Sequence, residues 1–237
     1  MNKLINEDYT SLLGLLKKNK IIKRLSTDNK SKLKKIHSVW YSFAIWEEEI
    51  KKNFKPKHRT LFISDLKSDL TQSIPLMFIG YNKSTSILLR SSIENILRHI
   101  YFFDHRIEFT FYEESGFYIK QDDMYNYLKK HPIFRNVCEK VNLINLLSSK
   151  YSELSEIIHG KSAIKNNIID CLKNVKFEQN LFEKYYVLFL MFGNLFNFIL
   201  CRFHEETLNK MDSKKQKFIF SLMDDKTYKV LSKNFKK

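Results

Sequence analysis

Five glycines and three prolines in 237 residues leave this chain few places to turn sharply. Sheets made of short strands need turn residues roughly every 8–12 positions, because tight turns rely on the positive φ of glycine or the fixed φ of proline. Helices joined by a handful of connections do not. The expected fold class is therefore all-α, a helical bundle. A chain of this length with 43% hydrophobic residues can bury a substantial core as one compact unit.

Apolar spacing and cap residues divide the chain into helices. Leucines and isoleucines from Leu4 to Ile22 predict a first helix over 4–23, and the Ser26-Thr27-Asp28-Asn29 cap chemistry introduces a second over 30–54. A third is expected over 60–78, with Pro75 marking a kink or a boundary. Residues 84–103 read as one long helix, and 107–119 as an irregular or short extended piece. Further helices are expected at 121–130 and 133–147, then a short one ending at His159 with Gly160 as a left-handed cap. Segments 162–174, 178–208, 213–222 and 225–235 complete the set. Tyr185 to Cys201 is uncharged over 17 residues, just under a comfortable membrane span. Asn194 and Asn197 in its middle, and Lys184 and Arg202 at its ends, favour a central bundle helix, apolar on all sides, over a membrane segment.

The net charge of +15 is unevenly placed. Residues 1–60 carry 15 basic against 6 acidic side chains, residues 209–237 carry 9 against 3, and the stretch between is neutral. This divides the chain into a basic N-terminal helical region (1–59), a helical bundle core (60–208) and a basic C-terminal helical tail (209–237). Clustered cations attract phosphate backbones or anionic surfaces, so the expected partner is RNA or another nucleic acid. Cys138, Cys171 and Cys201 are odd in number and sit in apolar runs, as buried thiols of a reducing compartment do. With no signal-peptide pattern, the expected location is cytoplasmic. Neither paired CxxC units nor HExxH is present, nor a glycine-rich nucleotide loop, so no metal site and no cofactor is expected.

The helix over 84–105 carries the residues that suggest chemistry. Arg90, Glu94, Arg98, Tyr101 and His105 fall within an arc of roughly 80° at helical spacing, a narrow ionisable stripe on an otherwise apolar element. Buried charge is costly unless answered, and Glu94 lies four residues from each arginine. Only seven of the 41 basic residues are arginine, yet Arg90, Arg98 and Arg106 fall within 17 positions. Guanidinium suits phosphate or carboxylate in a way lysine does not. Downstream, YSELSEIIHG places Tyr151, Ser155 and His159 on one face by i, i+4, i+8 spacing. If the two stripes face each other they form a polar pocket in the bundle. Otherwise they form a satisfied core network that fixes helix register.

These residues carry a resemblance to the HEPN-like helical families of prokaryotic toxin and phage-defence systems, covering about residues 70–205. Arg98 and His105 enclose HIYFFD, which matches the family's Arg, four to six residues, His pattern at its long end, and His99 supplies the polar residue after the arginine. RSSIENILRHIYF followed by YSELSEIIHG resembles the paired signatures of helical families grouped near HEPN proteins. The resemblance implies metal-independent RNA cleavage at a cleft between two subunits of a homodimer, in an anti-phage or toxin effector. On it, His105 is the general acid or base, Arg98 the phosphate clamp, Glu94 the group orienting that arginine, and His159 a further catalytic candidate. Arg90, Tyr101, Tyr151 and Ser155 are candidate substrate contacts. The alternative reading is a non-catalytic helical adaptor that binds nucleic acid or another defence-system subunit through its basic termini.

Overall fold

The computed structural model describes residues 1–18, 26–159 and 176–233. Among them are eleven α-helices and one 3-10 turn, and no strand. The helices are α1 (Asn2–Lys18), α2 (Thr27–Asn53), α3 (Leu61–Ile79), α4 (Asn82–Asp104), α5 (Arg106–Ser115), α6 (Gln121–Lys130), α7 (Leu143–Ile158), α8 (Gln179–Phe203), α9 (Glu205–Lys210), α10 (Ser213–Phe220) and α11 (Asp225–Ser232). The 3-10 turn η1 (Lys57–Arg59) joins α2 to α3. The chain is an all-α helical bundle, as its shortage of turn residues predicts.

Local chemistry sets the boundaries. Ser26 accepts the Asn29 amide at 3.1 Å to start α2, Asp212 accepts the Lys214 amide at 2.8 Å to start α10, and Asp224 accepts that of Thr227 at 2.7 Å to start α11. Gly80, at φ 91°, closes α3 in the left-handed region that glycine adopts without penalty. Pro75 lies inside α3 and does not end it. Met77 and Phe78 beyond the proline are buried, as is Ile74 before it, and their packing holds the last turn in place.

At the centre, α8 lies against α2, while α3 packs along α4, and α6 and α7 cover the other side of α4. One continuous apolar core runs through these helices and includes Leu16 of α1 and Leu231 of α11. Phe189, Phe192, Phe196 and Phe198 are fully buried, with Phe192 stacked on Phe196 at 4.4 Å. By length and composition α8 could cross a membrane, yet 61% of its most apolar window is buried inside the bundle. Its buried asparagine is fully answered. Asn197 accepts from the Trp46 indole at 2.9 Å and donates to Ser42 at 3.0 Å and to the Gly193 carbonyl at 2.7 Å.

Several boundaries differ from the sequence expectation. Residues 106–115 form a helix because Phe109 and Tyr112, one turn apart, close over Phe62 and Phe102 in a separate aromatic cluster. Residues 132–142 form irregular turns in place of the predicted helix, ending at Asn142 in the left-handed region (φ 53°). From there α7 runs unbroken through Ser148-Ser149, with Ser148 donating to the Asn145 carbonyl of its own helix. The expected helix over 178–208 breaks at His204 and resumes as α9. Gly160, Cys171 and the helix expected over 162–174 lie outside the described residues.

At Gly193 α8 comes close to α2. A Cβ there would stand 2.7 Å from a methyl of Val39, a stiff β-branched neighbour that cannot rotate away. Gly193→Leu should destabilise by about 2 kcal/mol, overpacking outweighing the gain in helix propensity of about 1 kcal/mol. An unchanged midpoint in urea unfolding would show that the two helices are not in tight register here.

Candidate functional site

Burial of α4 between α3 and α7 brings its ionisable stripe against neighbouring helices. Glu94 is the hub. Its Oε2 accepts from Arg98 Nη2 at 3.0 Å, while its Oε1 accepts from the Tyr151 hydroxyl at 2.9 Å and lies 3.5 Å from Arg90 Nε. The Arg90 guanidinium also sits over the Tyr151 ring, 5.3 Å from its centre. Burial, then the Glu94 charge and hydrogen bond, push the Tyr151 hydroxyl up to about 12, so it stays protonated and donates. The Glu94 side chain keeps only 15% of its surface exposed, and those of Arg90 and Arg98 keep 28% and 21%.

The two predicted stripes therefore meet, but through four residues only. Ser155 turns back to donate to the Tyr151 carbonyl at 2.8 Å within its own helix. His159 is exposed at the C-terminal end of α7, and its side chain has no hydrogen-bond or ionic partner among the described residues. What α4 and α7 share is a crosslink, with two cations and a tyrosine answering one carboxylate. Nearby on α3, Asp69 accepts from Asn95 at 2.9 Å, and burial raises both Asp65 and Asp69 above the ordinary carboxylate range.

His105 occupies a different environment at the C-terminal end of α4. Its ring stacks flat on Tyr101 at 4.1 Å with 4° between planes, and meets the Tyr127 ring edge-on at 4.8 Å. Its Nδ1 lies 2.7 Å from the Tyr101 carbonyl oxygen, an acceptor only, so Nδ1 carries a proton and Nε2 is the nitrogen left to accept in the neutral ring. No partner among the described residues takes that Nε2. Beside it, Asp104 accepts from the Tyr127 hydroxyl at 2.7 Å and from His131 Nε2 at 3.2 Å. The Ile133 amide donates to His131 Nδ1 at 3.2 Å, which fixes that histidine as the Nε2–H tautomer. Arg98 and His105 lie about two helical turns apart, roughly 10 Å along the axis, and Arg98 reaches back to Glu94. Asp104 is the neighbour of His105 in sequence, whereas Tyr127 and His131 come from α6 and the turn after it, with no sequence spacing to announce them.

A third cluster was invisible to spacing altogether. His99, on the opposite side of α4, and His204, at the α8–α9 break, are buried with their Nε2 atoms 2.8 Å apart. The Nδ1 of His99 has no partner among the described residues. An orphaned N–H there would cost more than an orphaned lone pair, so His99 donates through Nε2 and His204 accepts. Trp46, Phe54, Phe103 and Phe203 surround His204. Burial lowers His99 to about 3, and burial together with the charges of His99 and Arg59 lowers His204 well below its usual value. Cys138 and Cys201 are buried free thiols, both raised by burial, with Cys138 reaching about 11. Neither is poised as a thiolate.

Glu94→Ala leaves Arg90, Arg98 and Tyr151 without their shared acceptor in a half-buried site and should cost about 2 kcal/mol in chemical denaturation, whereas an unchanged midpoint would mean that solvent answers all three donors. For the histidine pair, the folded form refuses protons that the unfolded chain accepts. Stability is therefore full above pH about 6.5 and falls as pH drops toward about 3. A His99→Leu/His204→Leu double variant should gain on the wild type in melting temperature as pH is lowered through that window, and parallel curves would exclude the pair as an acid-sensitive element. Comparison of the chain with family models, with curated proteins and with solved structures finds no match.

Proposed function

We propose that the protein is a metal-independent endoribonuclease of a prokaryotic anti-phage or toxin system, with His105 as its acid–base group. The observation that carries this reading is the state of His105. Its Nδ1 proton is held by a backbone carbonyl, its ring is clamped between two tyrosines, and its Nε2 has no partner among the described residues. An imidazole so fixed is suited to take a proton from a ribose 2′-hydroxyl. The 2′-oxygen would then attack the adjacent phosphorus, forming a 2′,3′-cyclic phosphate. The bond to the 5′-oxygen breaks, and that leaving oxygen takes up a proton. Arg98, with guanidinium donors beyond the one bonded to Glu94, is the candidate for stabilising the phosphorane-like charge. Glu94 orients it. A second copy of the chain, as the family resemblance implies, would bring a second set of these groups to the substrate.

A second reading has its own support. The Glu94 cluster is satisfied internally by Arg90, Arg98 and Tyr151, which suits a helical adaptor whose stripe only fixes register while the basic ends bind nucleic acid or a partner subunit. The two readings separate on His105→Ala and Arg98→Ala. As a nuclease, His105→Ala should lower cleavage of a fluorogenic RNA by about 100-fold or more with helicity and melting temperature preserved. Cleavage by the wild type should persist in EDTA, and loss of His105 should relieve growth arrest in cells. RNA cleavage at the wild-type rate by both variants would leave the adaptor reading in possession.

A further inference from the structure

We infer that the η1 turn and the α4–α5 junction form a phosphodiester-binding patch for single-stranded RNA, built from Lys55, His58, Arg59 and Arg106. It rests on the reading of the protein as one that acts on RNA, and adds the place where the strand is held.

The patch is assembled by packing from two directions. The guanidinium of Arg59 lies over the Phe103 ring at 4.6 Å and the Phe54 ring at 5.3 Å, so α4 and the end of α2 hold it in place. His58 is buried against Phe109 of α5 at 5.9 Å, and Lys57 is ion-paired to Glu113 of the same helix. Arg106, Phe109 and Glu113 stand at i, i+3 and i+7, so Arg106 lies on the face of α5 that meets the turn. It is exposed, and burial, then the charges of Arg59 and Arg106, hold the His58 imidazole below its usual pKa.

Some surface lysines are spent on ion pairs, whereas the cations of this patch are not. Lys32, Lys51, Lys52, Lys67 and Lys215 each have a carboxylate partner. Among the described residues Lys55, Arg59 and Arg106 have none, and the nearby Glu113 is already taken by Lys57. Arg59, already held on aromatic rings, and Arg106, on the α5 face that meets the turn, thus have no carboxylate partner among the described residues, and Lys55 leads into the same turn. Little ordering entropy remains to be lost when a phosphate arrives. Guanidinium matches phosphate oxygens in bidentate fashion. The rings under Arg59 are half-buried and covered by it, so they offer no apolar rim for entry into a bilayer.

The test uses the full chain and a non-cleavable, fluorescently labelled 2′-O-methyl RNA of about 15 nucleotides, so that binding is read independently of cleavage. Lys55 and Arg106 are exposed, and a Lys55→Glu/Arg106→Glu double variant should keep its melting temperature. It should bind the RNA at least about tenfold more weakly, with a log–log salt slope shallower by roughly 0.7 for each phosphate no longer neutralised. Unchanged affinity and slope would overturn the patch, as would wild-type binding to phosphatidylserine vesicles with none to RNA. Patch-dependent binding by a chain that never cuts RNA would retain the patch and remove the nuclease reading. Cleavage with an unaltered KM in the double variant would do the reverse.

Discussion

Burying α4 obliges the bundle to answer every polar group that the helix carries inward, and most of the arrangement around it follows from that obligation. Desolvating an unpaired charge costs several kcal/mol, more than one helix contact returns. Glu94 is met by Arg90, Arg98 and Tyr151, Asn95 by Asp69, and His99 by His204. These partners come from α3, α4 itself, α7 and the α8–α9 break. The polar matches thereby fix the register of the helices around α4, while the phenylalanines of α8 supply the apolar mass.

That obligation also sorts the ionisable residues by the chemistry left to them. A group answered inside the bundle has committed its hydrogen-bonding capacity to the fold, as Glu94 and Tyr151 have. His105 differs because only one of its nitrogens is used, and by a backbone carbonyl that fixes the tautomer. Arg98 stands between the two conditions, tied to Glu94 through one nitrogen. The His105 end of α4 and its Glu94 middle thus share one helix face but not one environment.

Charge follows a similar division. Some of the lysine on the described surface is neutralised by neighbours, notably by the Glu47-Glu48-Glu49 run, which takes Lys51, Lys52, Lys67 and Lys215. Lysines 51, 52 and 215 belong to the two end segments that give the sequence its basic excess, so part of that excess is offset within the fold. The arginines at residues 59 and 106 are not offset, and they stand where η1 meets the α4–α5 junction.

The sequence by itself determined the helical class, the central role of the uncharged segment in α8, most helix starts, and the placing of Glu94 one turn from both arginines. These are properties of composition and of spacing within one helix, where geometry is fixed at 3.6 residues per turn. The Tyr151 contact needed one further assumption, that α4 and α7 face each other. Only the tertiary structure decided that His159 and Ser155 stay apart from that cluster, that 106–115 is helical, and that α7 begins at a left-handed Asn142. It alone paired His99 with His204, 105 residues apart, and set Tyr127 and His131 around Asp104 and His105. Such contacts depend on how helices cross, and crossing is set by the summed packing of many apolar side chains, which no local pattern of residues encodes.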